Sequence, residues 1–113
     1  MDDCSAVPIL RVADAEASVA WYARLGLRER SRHRFAPGLP LYVVIGRGRA
    51  ELHLSEHAGD ANPGGLVYLW VPDVDALAAA CGVAEIDDMP WARDFEITDP
   101  DGNRIRVATA TSG

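Results

Sequence analysis

Few side chains in this chain of 113 residues could carry acid–base, metal or nucleophilic chemistry. It contains three histidines, His33, His53 and His57, and two cysteines, Cys4 and Cys81. All eleven basic residues are arginines, which excludes a Schiff-base lysine and a P-loop lysine. No Gly-x-Ser-x-Gly elbow occurs either, so we expect no nucleophile and no catalytic residue.

We expect no catalytic role for the cysteines and an exposed position for two of the histidines. Cys4 and Cys81 are distant in sequence, and in a reducing compartment such cysteines are typically free, with a disulfide as the alternative. His33 and His57 lie among charged or turn residues, where side chains are usually exposed.

A strand followed at once by a helix occurs twice along the chain. The apolar run from Val7 to Val12 predicts a strand, Asp14 is a good helix N-cap, and Gly26 can end the helix in a left-handed conformation. Val19, Trp21, Tyr22 and Leu25 have the spacing of a helical face. The run from Leu66 to Val71, the N-cap Asp73, the apolar residues Leu77, Ala80 and Cys81, and Gly82 repeat the arrangement. Asp14 and Asp73 are 59 residues apart, about half the chain, which indicates a duplicated unit.

Three more strand-like runs follow each helix, separated by proline and glycine turns. They are Arg30 to Phe35, Leu41 to Ile45 and Ala50 to Ser55 in the first half, and Val83 to Ile86, Arg93 to Thr98 and Arg104 to Thr109 in the second. The sequence thus predicts an α+β fold with mixed, curved sheets that form a cleft. One domain over 1–113 would contain two βαβββ modules, at about 5–57 and about 64–110.

Composition narrows the choice of partner. The net charge is −6, whereas nucleic-acid binders need a basic surface, so we expect no nucleic acid. The longest apolar runs are far shorter than the roughly 20 residues of a membrane-spanning helix. The N-terminus from Met1 to Cys4 lacks the features of a signal peptide, so we expect no membrane and a cytoplasmic location.

The negative charge is concentrated in the second half of the chain. Residues 1–57 carry eight arginines and seven acids, whereas 58–113 carry three arginines and ten acids. One interpretation is a solvated surface that favours solubility, and the other is a field that attracts cationic ligands.

Seven segments occur along the chain in a characteristic order and spacing. They are Val7-Pro8-Ile9-Leu10, Val12-Ala13-Asp14, Ser18 to Tyr22, Leu25-Gly26-Leu27, Glu51-Leu52-His53-Leu54-Ser55, Pro90-Trp91-Ala92-Arg93-Asp94-Phe95 and Asp99-Pro100-Asp101-Gly102-Asn103. Together they resemble the vicinal oxygen chelate superfamily, which contains glyoxalases, extradiol dioxygenases and bleomycin-resistance proteins, and the similarity spans nearly the whole chain. The resemblance implies the same fold and a homodimer.

The resemblance also places the metal ligands of the family's enzymes at Val7, His53, Leu66 and Arg106. Only His53 can bind a metal, and Arg106 would put a positive charge where the cation should be. We therefore expect no metal, no cofactor and no glyoxalase or dioxygenase chemistry. His53 itself is open to two interpretations, a ligand-binding residue or a half-buried strand histidine satisfied by its neighbours.

The remaining candidates are mainly aromatic. Strand alternation puts Leu66, Tyr68 and Trp70 on one face and Val67, Leu69 and Val71 on the other, so the aromatics either line a cleft or belong to the core. By resemblance, Tyr42 and Tyr68 align with residues that stack on the drug in bleomycin-resistance proteins. The ligand-binding candidates are Phe35, Tyr42, Glu51, His53, Tyr68, Trp70 and Trp91.

Two of these candidates have equally plain structural alternatives. Trp91 could close the cleft or act as a local hydrophobic plug, and Glu51 could offer negative charge to a cation or be a solvated strand residue. The favoured hypothesis is an antibiotic-binding resistance protein that sequesters a cationic or planar aromatic drug of the bleomycin type without turnover. The alternatives are a metal-dependent lyase, isomerase or dioxygenase, and a structural module without a small ligand.

Overall fold

A computed structural model describes residues 3–111, so Met1 and Asp2 of the predicted N-terminus and the last two residues of the predicted domain lie outside the described part. Within this described part, eight strands and two α-helices follow one another. They are β1 (Ile9–Arg11), α1 (Ala15–Tyr22), β2 (Arg28–His33), β3 (Tyr42–Arg47), β4 (Ala50–Ser55), β5 (Leu66–Trp70), α2 (Val74–Ala80), β6 (Asp87–Asp88), β7 (Ala92–Thr98) and β8 (Arg104–Ala110). A short 3-10 helix, Ala23–Leu25, extends α1.

The strands form two four-stranded sheets, with the orders β1-β4-β3-β2 and β5-β8-β7-β6. In each sheet the first strand of the module pairs in parallel with the last, and the other neighbours are antiparallel. A parallel pair needs a crossover, and the helix of each module lies within it. The predicted α+β fold of two βαβββ modules is therefore confirmed.

The two helices begin in the same way. The Asp14 carboxylate accepts from the Ala17 amide, and Asp73, 59 residues later, accepts from the Ala76 amide. Both N-cap predictions are confirmed, since the cap satisfies an amide that the helix leaves unpaired.

A second contact at each helix start comes from the end of the module's last strand. The Glu56 carboxylate, just after β4, accepts from the first helical amide of α1, that of Ala15. The Thr109 hydroxyl in β8 accepts from the corresponding amide of α2, that of Val74. The duplication thus extends to the hydrogen bonds that tie each helix to its sheet.

One face of each sheet packs into the core and the other stays open to solvent. Val43, Ile45, Leu52 and Leu54 are buried in the first sheet. In the second sheet the core residues are Val67, Leu69, Phe95, Ile105 and Val107. The prediction that Val67, Leu69 and Val71 form the packed set is confirmed, since all three are buried.

A buried polar cluster connects the two modules at the turn between β7 and β8. Tyr22 of α1 donates its hydroxyl proton to the Asp99 carboxylate at 2.7 Å, across 77 positions of sequence. Asn103 donates from Nδ2 to Asp99 and to the Arg11 carbonyl, and its Oδ1 accepts from the Gly65 amide. Burial and the Asp99 carboxylate raise the pKa of the Tyr22 phenol well above its ordinary value.

Two predicted strands are wrong in position. The run from Arg30 to Phe35 pairs at Arg28–His33, which leaves Phe35 beyond the strand end. The predicted strand from Val83 to Ile86 does not form, and β6 is the two-residue segment Asp87–Asp88. Val83 and Ile86 instead pack on the core from the loop after α2, so their apolar character reflects packing without pairing.

The helical faces were predicted only in part. Ala15, Ser18 and Tyr22 are the buried residues of α1, while Val19 and Trp21 are partly buried. In α2 the buried residues are Val74 and Ala78, Leu77 and Cys81 are partly buried, and Ala80 is exposed. The buried faces thus include the small residues Ala15, Ser18 and Ala78, which the apolar spacing did not single out.

Both cysteines are free, as predicted, and partial burial raises the pKa of the Cys81 thiol. Gly26 ends the 3-10 helix with a φ of 78°, which confirms the predicted left-handed terminator. Within residues 3–111, neither helix has the length and apolarity to cross a membrane.

Replacing Asn103 with alanine should lower the free energy of unfolding by about 3 kcal/mol, because the Gly65 amide and the Arg11 carbonyl lose their side-chain partner. The matched control is Asp101→Ala, which removes one exposed bond from the Ala13 amide and should cost about 1 kcal/mol or less. Urea unfolding measures both. Equal losses would show that the Asn103 contacts do not carry the stability assigned to them.

The Tyr22–Asp99 contact should produce an alkaline loss of stability. The raised pKa means that the folded state holds the phenol proton more tightly than the unfolded chain does, so the stabilisation is complete below about pH 10 and falls above it. The stability difference between wild type and Tyr22→Phe should therefore fall by about 1.4 kcal/mol per pH unit above pH 10. Denaturant titrations measure this difference, in which the contributions of Tyr42 and Cys81 cancel. A difference that stays constant to pH 11.5 would contradict it.

Candidate functional site

The predicted ligand-binding residues lie on the open faces of the two sheets or at their edges. The open face of the first sheet, here the module-one face, carries Tyr42, Glu51 and His53, which alternate with buried core residues. The open face of the second sheet, the module-two face, carries Leu66, Tyr68 and Trp70. Period-two alternation in β3, β4 and β5 therefore puts each of these side chains where a ligand has access.

A chain of hydrogen bonds connects three side chains on the module-one face. Tyr42 Oη lies 2.6 Å from His53 Nδ1, and His53 Nε2 lies 3.1 Å from Glu51 Oε2. The rings of Tyr42 and His53 also meet edge to face. His53 thus has both ring nitrogens occupied by neighbours, which agrees with the interpretation of a half-buried, satisfied strand histidine.

Arg30 completes this chain and was missed from the sequence. The strand pairing shifts by one residue between Glu29 and Ser31, and Arg30 is the extra residue of this bulge. Its guanidinium lies over Gly46, where a Cβ atom would be 2.4 Å from Arg30 Cζ. From there it donates to the Gly48 carbonyl at 2.7 Å and pairs with Glu51 at 3.4 Å.

Glu51 is therefore not a free carboxylate. One of its oxygens faces Arg30 and the other accepts from His53. Its charge is compensated within the chain, so less of it is left for a cationic ligand than the sequence suggested. The one sequence signal for the Arg30–Glu51 pair is Gly46 on the neighbouring strand. It points to Arg30 only when the position of the bulge is known.

Phe35 and Tyr42 border a cavity of about 340 Å³ at one end of the module-one face. The other lining residues are His33, His57 and Asp60. Phe35 is 75% exposed and packs edge-on against His33, with ring centroids 4.5 Å apart. Burial and the negative charge of Asp60 both raise the pKa of Tyr42, in that order of importance.

His57 differs from its prediction, because it is half-buried beside this cavity. Its backbone amide donates to the Ser55 hydroxyl, which in turn donates to Asp60 Oδ2 at 2.6 Å. This short turn after β4 holds His57 and Asp60 in place. His33 is exposed, as expected.

The module-two face is dominated by exposed aromatic rings. Tyr68 and Trp70 are 38% and 55% exposed, with ring centroids 4.9 Å apart and planes tilted by 53°. Trp91, in the turn before β7, is 60% exposed. The structure therefore contradicts a core position for Tyr68 and Trp70, and Trp91 is too exposed to act as a buried plug.

Tyr68 and Trp91 border a second cavity of about 340 Å³. Its polar and apolar walls are completed by Asp87, Met89, Asp94, Glu96 and Arg106. Asp87 and Asp94 are directly opposite each other on β6 and β7, an arrangement in which like charges repel. Tyr68 donates to Asp94 across 3.4 Å, whereas neighbouring Asp88 pairs with Arg93.

The positions that the resemblance assigns to metal ligands do not fit a metal. Val7 and Leu66 have no donor atoms, and Arg106 is a cation whose Nε donates to Glu96 at 3.0 Å. Arg104 approaches the other oxygen of Glu96 at 3.6 Å, so this carboxylate is shared by two guanidinium groups. Within residues 3–111, no three His, Cys, Asp or Glu side chains are arranged to hold a metal ion.

The seven predicted residues fall into separate groups within one chain. Phe35 and Tyr42 border one cavity, and Tyr68 and Trp91 border another. Glu51 and His53 connect to the first group through Tyr42. Trp70 stands beside Tyr68 but also borders a third cavity, of about 270 Å³, where the modules meet.

Comparison with known proteins identifies one family. A family model described as "Glyoxalase superfamily protein" matches residues 4–113. Among curated proteins, none matches this chain.

Several solved structures share the fold. The chain is similar to TnmS3, described as an antibiotic-binding protein from Streptomyces sp. CB03234, with 24% identity, a TM-score of 0.75, and coverage of 98% of this chain and 100% of that one. It is similar to a bleomycin-binding protein in complex with bleomycin, with 20% identity, a TM-score of 0.67, and coverage of 94% and 98%. A lactoylglutathione lyase from Agrobacterium tumefaciens has 23% identity, a TM-score of 0.70, and coverage of 96% and 95%. At these identities the likeness establishes the fold, and binding proteins and an enzyme share it.

Because the donor set does not fit a metal, Mn²⁺ or Ni²⁺ should change the melting temperature by less than about 1 °C. Thermal unfolding of wild type and His53→Ala, each with and without metal, measures this. A shift of several degrees that disappears in His53→Ala would contradict the prediction. A shift that persists in His53→Ala would arise elsewhere on the surface.

Proposed function

Since the chain belongs to the glyoxalase superfamily, we propose that it is an antibiotic-binding member that sequesters a cationic, partly aromatic drug of the bleomycin type without chemical turnover. We place its action in the cytoplasm. The observation that carries the proposal is the group of exposed rings formed by Tyr68, Trp70 and Trp91.

Exposed aromatic rings at this density favour a binding surface. Leaving large apolar rings in water gives up the free energy of their burial, and contiguous patches of this kind typically mark ligand grooves or interfaces. Tyr68 and Trp70, two residues apart on the open face of β5, offer planar rings tilted to each other, and Trp91 borders the same cavity as Tyr68. Flat heteroaromatic parts of a drug can stack on such faces.

The charges of the module-two face support a cationic ligand. Asp87 and Asp94 face each other, and among the described residues neither forms a salt bridge to an arginine. A ligand cation placed between them would relieve their repulsion. In this proposal they take over the electrostatic role that the sequence suggested for Glu51, which Arg30 compensates.

The division of the site residues supports a homodimer. Within one chain, the group around Tyr42 and His53 and the group around Tyr68 and Trp91 border different cavities. We propose that two copies associate so that the module-one face of one and the module-two face of the other enclose a shared cleft. Each dimer would then offer two clefts.

The alternative function, a metal-dependent lyase, isomerase or dioxygenase, receives less support from these residues. The positions that would hold the metal are Val7, Leu66 and Arg106 besides His53. Arg106 is a cation already paired with Glu96, and His53 uses both nitrogens within the chain. Sequestration needs only affinity, which stacking faces and carboxylates can supply.

Isothermal titration calorimetry with metal-free bleomycin tests the proposal. Wild type should bind with micromolar or tighter affinity, and Trp70→Ala or Tyr68→Ala should each weaken binding about tenfold through lost stacking. Leu39→Ala is the matched control, because Leu39 is a comparably exposed apolar residue outside the site and should leave affinity unchanged.

Two outcomes would contradict the proposal. One is the absence of binding heat, or binding that Trp70→Ala and Tyr68→Ala leave unchanged. The other is a drug of altered mass after incubation, detected by mass spectrometry, which would favour the enzymatic alternative.

A further inference from the structure

The cavity beside Tyr42 has a polar wall whose hydrogen-bonding direction follows from the neighbouring side chains. Its lining residues are His33, Phe35, Tyr42, His57 and Asp60. Phe35 stands 4.5 Å from His33 and 6.4 Å from His57, measured between ring centroids, so three flat rings form one side. Tyr42 and Asp60 supply oxygen atoms.

Glu51 determines which groups donate and which accept in the hydrogen bonds among Glu51, His53 and Tyr42. A carboxylate only accepts hydrogen bonds, and the Glu51 carboxylate is paired with the Arg30 guanidinium on its other oxygen. His53 Nε2 must therefore carry a hydrogen, which it donates to Glu51 Oε2. In a neutral imidazole the other nitrogen, Nδ1, then has only a lone pair.

This assignment determines the state of the Tyr42 hydroxyl. Its single proton is donated to His53 Nδ1 across 2.6 Å. Burial and the charge of Asp60 raise the pKa of Tyr42, so the phenol keeps its proton. The oxygen is left with lone pairs only, and a ligand can contact it solely as a donor.

Asp60, which borders the same cavity, can also only accept hydrogen bonds. Its Oδ2 accepts from the Ser55 hydroxyl at 2.6 Å, which uses the Ser55 proton, and the carboxylate can only accept. Tyr42 and Asp60 border the same cavity, so a ligand there meets both acceptor groups. The imidazoles of His33 and His57 can take either role.

We infer that this cavity selects planar aromatic amines, whose ring edge donates N–H hydrogen bonds to Tyr42 and Asp60 while the ring packs against Phe35, His33 and His57. The inference rests on the proposed drug binding and specifies the ligand group that the module-one face accepts. Tyr42 is the specificity-determining residue, and His53 is a positioning residue that keeps its hydroxyl an acceptor.

Two acridine dyes differ in the required feature. Proflavine has amino N–H groups on the edge of a cationic ring system, and acridine orange carries dimethylamino groups in the same places. Fluorescence anisotropy titrations at pH 8, above the ordinary imidazole pKa of about 6.5, measure both affinities. Wild type should bind proflavine at least about tenfold more tightly than acridine orange. The second dye lacks the amino N–H groups, so the acceptor oxygens of Tyr42 and Asp60 are left without a donor.

Tyr42→Phe should bring the ratio of the proflavine affinity to the acridine orange affinity close to one. The substitution keeps the ring and the shape of the cavity, so a preference caused by the bulk of the methyl groups would survive it. His53→Leu frees the Tyr42 proton and should also reduce the preference, to below about threefold. Phe35→Leu is the matched control, which should weaken both dyes alike. Circular dichroism checks that each variant is folded.

A wild type without preference, or a preference unchanged in Tyr42→Phe, would overturn the inference. So would binding of bleomycin without binding of either dye. In these cases retained bleomycin binding leaves the proposed function standing. Loss of both bleomycin and dye binding would instead contradict the proposed function itself.

Discussion

The buried carboxylate of Asp99 is the contact that holds the two modules in one arrangement. Removing a charge from water is costly unless hydrogen bonds replace the lost solvation. Asp99 receives four, from the Tyr22 hydroxyl, the Asn103 side chain, and the amides of Asp101 and Asn103. Because Tyr22 belongs to module one and the turn to module two, satisfying this one group determines how both open faces are presented.

Duplication and divergence act on different parts of the structure. The N-caps Asp14 and Asp73, and the strand-end acceptors Glu56 and Thr109, perform the same task in both modules. The open faces differ, because one carries hydrogen-bonded Tyr42 and His53 and the other carries aromatic rings between charges. The shared contacts build the scaffold, and the divergent faces are free to recognise different parts of a ligand.

Much of the fold could be predicted because its signals are local. Asp14 and Asp73 indicate helix starts because their carboxylates can accept from unpaired helix amides. Alternation in β5 separates Tyr68 and Trp70 from the core residues beside them. The strand from Val83 to Ile86 could not be judged this way, because apolar residues that pack from a loop resemble a strand. The site was less predictable, since the environment of Glu51 depends on Arg30, which reaches it only through a register shift and the space above Gly46.

The space above Gly46, which Arg30 occupies, influences how easily the binding surface can change. The backbone of Gly46 does not require glycine, and the atoms a methyl group would meet belong to the flexible end of Arg30. An alanine there would push the guanidinium aside and leave Glu51 without its arginine partner. One substitution outside the ligand-contacting residues would thus make the Glu51 carboxylate more available to a cationic ligand, which is a short mutational route to a different ligand preference.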